Sequence, residues 1–330
     1  MKKNNNLTIV VPIYKPTISI DDIIYNLLKQ KDQNFNTVIV IDKPTESDLE
    51  SLSKLKSKFD KRLEIIINSS HLNLSQVLKQ TIEYVQTEYT YILFSYVTLK
   101  SGFIKNINCF LDNEIHPDYI ELLSTMSGII EHKLYSSFFE SGKLINIENN
   151  ALPLALTAPF SFTFLAKTKI IKEVIEGNKY KGGNLQYSPF YSIRSLLLSK
   201  TYVFLDTTWV TDYNHEVLIL NPKSLNKSWQ IIKGYIPGDL VAIQQALEFA
   251  KFINFYYYFA GYLGGCKTKS KSLKGLKNLL ESELKTIDLD FDKFAANNPY
   301  FKLYDSKQIR EFALDSRKWN SIFKKVIWQK

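Results

Sequence analysis

Leu7–Tyr14, Leu-Thr-Ile-Val-Val-Pro-Ile-Tyr, is a short apolar run rich in β-branched residues that ends on a Lys15-Pro16 step. A strand buried on both faces of a parallel sheet reads this way. Pro12 has no N–H for a ladder, so pairing is expected to stop near it. Ile20–Lys31 follows, with apolar residues at 20, 23, 24, 27 and 28 forming one stripe at helical spacing. Thr17 or Ser19 would cap this helix, and Asp21 and Asp22 suit its first turn. Thr37–Asp42 is a second apolar run, closed by an acid and a Lys43-Pro44-Thr45 turn. Strand, helix, strand is a βαβ unit, and open α/β sheets take ligands at the carboxyl ends of such strands.

The alternation continues through Ser47–Phe59 (helix), Leu63–Ile67 (strand), Leu72–Thr87 (helix) and Tyr89–Phe94 (strand). This order predicts an α/β fold with a doubly wound, mostly parallel sheet and right-handed crossovers. Beyond it the pattern loosens. Gly102–Leu111, Ile170–Glu176 and Pro189–Ser199 read as helices, and Tyr119–Leu123, Phe160–Ala166 and Tyr202–Leu205 as strands. Asn221-Pro222 breaks the pattern and sets an expected boundary near 220, dividing residues 1–220 from a mostly helical 221–330 with helices over Leu240–Leu263, Ser272–Leu284 and Lys307–Ile327. No internal repeat or low-complexity linker separates the two.

A chain of 330 residues with 20 Tyr and 21 Phe builds a substantial packed core. Cys109 and Cys266 are its only cysteines, too few for a disulfide framework or a thiolate metal site, which points to a reducing, cytoplasmic setting. The apolar run behind the charged N-terminus is marginal for a signal peptide and too short to span a bilayer. A net charge of +9 favours anionic partners. Its densest expression is Phe252–Tyr262, rich in aromatics, followed by Lys267, Lys269, Lys271, Lys274 and Lys277. That suits an anionic membrane surface at the inner face of the plasma membrane, or a core helix followed by a solvated one. No nucleic-acid module is present, so nucleic acid is not an expected partner.

Thr8–Tyr14, Val38–Asp42 with its turn, and Glu88–Leu93 together resemble the opening of family 2 glycosyltransferases of the GT-A fold. The likeness runs over about residues 7–215. It implies inverting transfer of a sugar from a nucleotide-sugar donor, a UDP-sugar first among them, to an acceptor hydroxyl, with Mn or Mg as the usual metal. An excess of Lys, Asn and Ile resembles bacterial coding, so the acceptor is expected to be a bacterial surface glycan or glycoprotein. The resemblance assigns nucleotide contacts to Pro12, Tyr14, Asp42, Lys43 and Lys79.

The chemical positions of the family pattern are altered. Its paired acids fall on Asp42 and Lys43. Its Asp-x-Asp metal motif falls on Phe94, Ser95 and Tyr96, or one residue later on Ser95, Tyr96 and Val97, and neither register supplies a carboxylate for a hard divalent ion. Counting back from Arg194, its catalytic base falls on Tyr187 and Ser188, and no carboxylate lies between Gly177 and Arg194. His215 matches a family histidine that completes a metal or diphosphate site. Loss of a general base costs roughly 10²–10⁴-fold in rate, and lysines such as Lys15, Lys43 and Lys79 are the groups at hand to neutralise phosphate without an ion. Two functions follow: a metal-independent transferase, or an inactive homologue that binds an active partner transferase. His71 and His116 read as solvated loop residues, and Asp42 as either a turn former or a contact to ribose or base.

Overall fold

The computed structural model describes residues 5–16, 18–128, 132–133, 139–177, 188–214, 222–236, 238–255 and 297–300, with 275, 278 and 282 singly. The first half alternates as the sequence predicts: β1 (Leu7–Tyr14), α1 (Ile20–Leu28), β2 (Asn36–Asp42), α2 (Glu46–Phe59), β3 (Leu63–Asn68), α3 (Leu74–Ile82) and β4 (Tyr89–Ile92). Then come β5 (Val97–Leu99), α4 (Phe103–Leu111), β6 (Tyr119–Gly128), β7 (His132–Lys133), β8 (Ile145–Asn146), α5 (Leu152–Leu156), β9 (Phe164–Lys167), α6 (Thr168–Glu176), α7 (Pro189–Leu197), β10 (Thr201–Asn214), α8 (Pro222–Lys233) and α9 (Val241–Ile253). The strands form one sheet in the order β3-β2-β1-β4-β9-β6-β10-β5, with β7 beside β6 and β8 beside β10.

Its first four strands are parallel, as expected for a doubly wound half. β9 enters antiparallel between β4 and β6, so the sheet is mixed beyond β4. β1 is buried almost throughout because helices cover both faces. Pairing does not stop at Pro12. The β1–β2 register runs on through Pro12↔Val40 to Tyr14↔Asp42. On the other side, β4 ends its register at Val10↔Ile92, and the Leu93 N–H donates to the Val10 carbonyl at 2.8 Å. Pro12, two residues further, turns its main-chain edge the same way, where β4 has already ended, so its missing donor costs no ladder bond.

The helices start where short polar side chains cap them. Ser19 accepts from the Asp22 N–H at 3.1 Å. Thr45 and Asp48 cap each other's main chain at 2.8 and 3.2 Å. Asn73 and Gln76 form a capping box on α3. α1 and α3 stop short of the expected Lys31 and Thr87. Phe160–Ala166 is a strand only from Phe164; Phe160 and Phe162 are buried in turns held by the Thr163 hydroxyl, so their alternation reflects burial without pairing. β10 runs far past Leu205, through a register shift between Leu205 and Trp209.

α8 and α9 lie past residue 220 and join the same hydrophobic cluster through Leu225, Trp229, Phe249 and Phe252. The Trp229 Nε1–H donates to Asn254 at 2.8 Å. Phe252 and Phe255 are buried, so the start of the aromatic stretch is core. The lysines of 267–277, most of Ser272–Leu284 and the Lys307–Ile327 helix lie outside the described residues. Among the described residues no helix is long and apolar enough to cross a membrane.

Candidate functional site

Tyr14 and Asp42 are register partners at the ends of β1 and β2. They share a strand face, because side chains alternate along each strand and partners in register point alike. Asp42 is buried, with a relative exposure of 3%. Its Oδ2 accepts from the Leu72 N–H at 2.8 Å and faces His71 Nδ1 at 3.1 Å; its Oδ1 accepts from Asn68 Nδ2 at 2.9 Å. A carboxylate only accepts, so Nδ1 is assigned as the protonated nitrogen of His71. Asn68 and Gln80 exchange amide bonds at 3.0 and 3.1 Å. Asp42 therefore ties β2 to the loop entering α3, and of its four lone-pair positions one remains, on Oδ1.

The same loop sets His71 against Tyr14. Their ring centroids are 3.7 Å apart at 16°, a stacked pair, and the Lys15 ammonium lies 5.6 Å from the Tyr14 ring. His71 is thus not a free loop histidine. Its ring is backed by Tyr14, oriented by Asp42, and its side chain is still 47% exposed. His116 is likewise partnered, with Nδ1 2.9 Å from Glu88 Oε2. No local signal marks His71, since both partners come from other strands. The sequence did contain the acid and the tyrosine that position it.

Asp42 also borders a cleft of about 390 Å³, lined by Lys15, Ser19, Ile41, Lys43 and Asp48 among others. Lys15 and Lys43 are the first residues past β1 and β2, each precedes a proline, and both take positive φ, 42° and 51°. That region disfavours side chains larger than Asn or Asp.

The other sequence candidates lie apart. Pro12 sits inside β1, partly buried. Lys79 is exposed on α3. Phe94 and Ser95 are buried and Tyr96 is half-buried; none of them lines the cleft. The turn they form is pinned by Val97 N–H to the Phe94 carbonyl at 2.9 Å, by Asn26 bridging Val97 and Leu99 at 2.9 Å each, and by β5 pairing with β10. Ser188 caps α7, accepting from the Phe190 N–H at 3.2 Å, and donates to Ser228 at 3.1 Å. Its hydroxyl is thus spent on structure. Tyr187 and His215 lie outside the described residues.

No carboxylate stands at residues 94–96, and among the described residues no three His, Cys, Asp or Glu side chains gather as a metal site.

The mixed sheet, its parallel nucleotide-type half and the strand-end cleft define the GT-A glycosyltransferase fold. Residues 8–95 match the family model described as glycosyl transferase family 2. Among solved structures, residues 1-349 of TarS from S. aureus in complex with UDP-GlcNAc superpose with a TM-score of 0.62 at 16% identity, covering 95% of this chain and 92% of that one. The same TarS segment in complex with UDP gives 0.59 at 17%, covering 96% and 91%. A longer S. aureus TarS structure gives 0.57 at 15%, covering 88% of this chain and 54% of that one. No curated protein matches the chain significantly. The resemblance read from the sequence is thereby borne out over residues 8–95, which match the family 2 model, and the chain as a whole shares the GT-A fold of these structures.

Proposed function

We propose that this protein binds a UDP-sugar over the ends of β1 and β2 and transfers the sugar, without a metal ion, to a glycan or glycoprotein acceptor of the cell surface. The observation that carries the reading is the ring pair of Tyr14 and His71, locked by buried Asp42 beside an open cleft. A planar base stacks on an aromatic face of fixed orientation, and stacking is worth about 1–3 kcal/mol per base. The remaining Oδ1 lone pair of Asp42 suits a ribose hydroxyl or a base N–H. TarS structures holding UDP-GlcNAc and UDP on the same fold support the choice of donor.

Calorimetric titration with UDP in the presence of EDTA tests the site. Binding is expected, and His71→Ala and Tyr14→Ala should each weaken it about tenfold, the equivalent of about 1.4 kcal/mol. A protein that takes up neither UDP nor another nucleoside diphosphate would sink the reading. Transfer is tested by UDP release from a panel of UDP-sugars with surface glycan acceptors.

One observation favours the second reading, a binding partner of an active transferase. Ser188 is committed to capping α7, and Phe94 is packed in the core, so neither vacated position holds a group ready for proton or metal chemistry. UDP binding without release from any UDP-sugar, together with co-purification of a catalytic homologue, would select it.

A further inference from the structure

β3 is the outer strand at one end of the sheet, and among the described residues it pairs with β2 alone. The main-chain groups of successive strand residues point alternately to opposite edges. The Asn68 carbonyl accepts from the Lys43 N–H at 2.8 Å, so Asn68, Ile66 and Glu64 face β2. Leu63, Ile65 and Ile67 therefore turn their N–H and C=O groups outward. Their side chains share one sheet face, on which Ile67 is 55% exposed. Such an edge is a template for another strand unless lysine, proline or a bulge blocks it. β3 has none of the three: it reads Leu-Glu-Ile-Ile-Ile-Asn, in unbroken register with β2.

The edge is complementary to itself. Two copies set antiparallel, about a two-fold axis perpendicular to the sheet at Ile65, bring Ile65 to Ile65 and Leu63 to Ile67. Each outward residue then exchanges both of its main-chain bonds with another outward residue. The same register lays the exposed Ile67 against Leu63 of the second copy and sets Glu64 opposite Ile66, so like charges do not oppose each other directly. α2, the crossover from β2 to β3, runs against β3 and so meets its counterpart antiparallel on the same face. Its exposed Glu46 and Glu50 lie in its first half, and its exposed Lys54, Lys56 and Lys58 in its second. Antiparallel approach sets the acidic half of one helix beside the basic half of the other. A foreign strand could fill the edge, but only a second copy matches that charge order by symmetry.

We infer that this protein forms a two-fold dimer through β3, which joins two sheets into one with the α2 helices flanking the seam. This is independent of the nucleotide reading above. The strand edges fix direction and register, Ile67 and Leu63 of the two copies cover each other, and the helix pair adds the width that a single strand pair lacks for a stable interface. The seam ends at Ile67, one residue before Asn68, whose amide holds Asp42.

The test is sedimentation velocity of the full chain from about 1 to 100 µM, paired with amide hydrogen exchange at both ends of that range. The mass should rise toward that of two chains. The Leu63, Ile65 and Ile67 amides should exchange more slowly in the concentrated sample, while those of Glu64 and Ile66, already bonded to β2, should not change. Ile67→Lys places a blocking charge at an exposed position and should weaken association about tenfold or more, with the melting temperature checking the fold. Association should also weaken as salt screens the two α2 helices from each other. The exchange series on the unaltered protein decides the matter even where the variant fails to fold. A single-chain mass throughout the range overturns the proposal and leaves the edge to a strand of another protein. A dimer whose β3 amides gain no protection, or one that Ile67→Lys leaves intact, overturns it by placing the interface elsewhere. Association that fails to weaken with salt overturns the seam built on the paired helices.

Discussion

Glu121 is the buried acid with the clearest consequence for stability. It lies in β6, fully enclosed, accepting from the Ala158 N–H at 2.9 Å, from the Tyr202 hydroxyl and from the Thr157 hydroxyl at 3.4 Å. Burial pushes its carboxyl from 4.5 up to about 7, against the lowering effect of those three donors. A raised acid binds its proton more tightly in the folded protein than in the unfolded chain. Its contribution is therefore fully present below about pH 4.5 and is lost as pH rises to about 7, a change of about 3 kcal/mol. Glu121→Gln should flatten that slope: urea melts at pH 8 would show the variant more stable than the parent, and melts near pH 5 little difference. Equal slopes in parent and variant would show that the carboxyl is not the source. The sequence offered nothing to flag Glu121, because its donors come from two other segments. Asp42 is the opposite case. Its place at a strand end was legible, while its role in orienting His71 was not, since that depends on a loop whose position only the fold supplies.

α3 shows how a secondary-structure cap reaches the site. The Asn73–Gln76 box fixes the first turn of α3, and the loop just before it carries His71 and Leu72 to Asp42. Asn73→Ala should cost about 1 kcal/mol of stability. It should also weaken UDP binding, because the ring pair loses its rigid support; a stability loss with unchanged UDP affinity would separate cap from platform. Elements with a strong period, from β1 to β4, were legible in order and type because each buries a continuous or striped apolar face. α5 was missed because Leu-Pro-Leu-Ala-Leu is too short to show a period. The extent of β10 was missed because the register shift after Leu205 breaks its alternation.

The packing of α8 and α9 bears on how the molecule divides. Trp229 is 4% exposed and bonds Asn254, Ser228 meets Ser188, and the Arg194 guanidinium lies 4.0 Å over the Tyr235 ring. The last two contacts join residues past 220 to α7 and its cap, so a division of the chain near 220 would cut through them. A chain ended at residue 220 should lose cooperative melting and the near-ultraviolet signal of its packed aromatics. Trp229→Ala in the full chain should cost about 3–5 kcal/mol. A truncated chain that melts as sharply as the parent would show that the first 220 residues stand alone.

Phe94 carries a consequence of its own. It is 6% exposed and seated in the core, at a position where one register of the family resemblance would place an acid. Phe94→Asp would open a cavity and enclose a charge in one stroke, a loss of several kcal/mol on both counts. Packing at this turn thus works as a ratchet: no single substitution at position 94 brings in an acid without a large loss of stability.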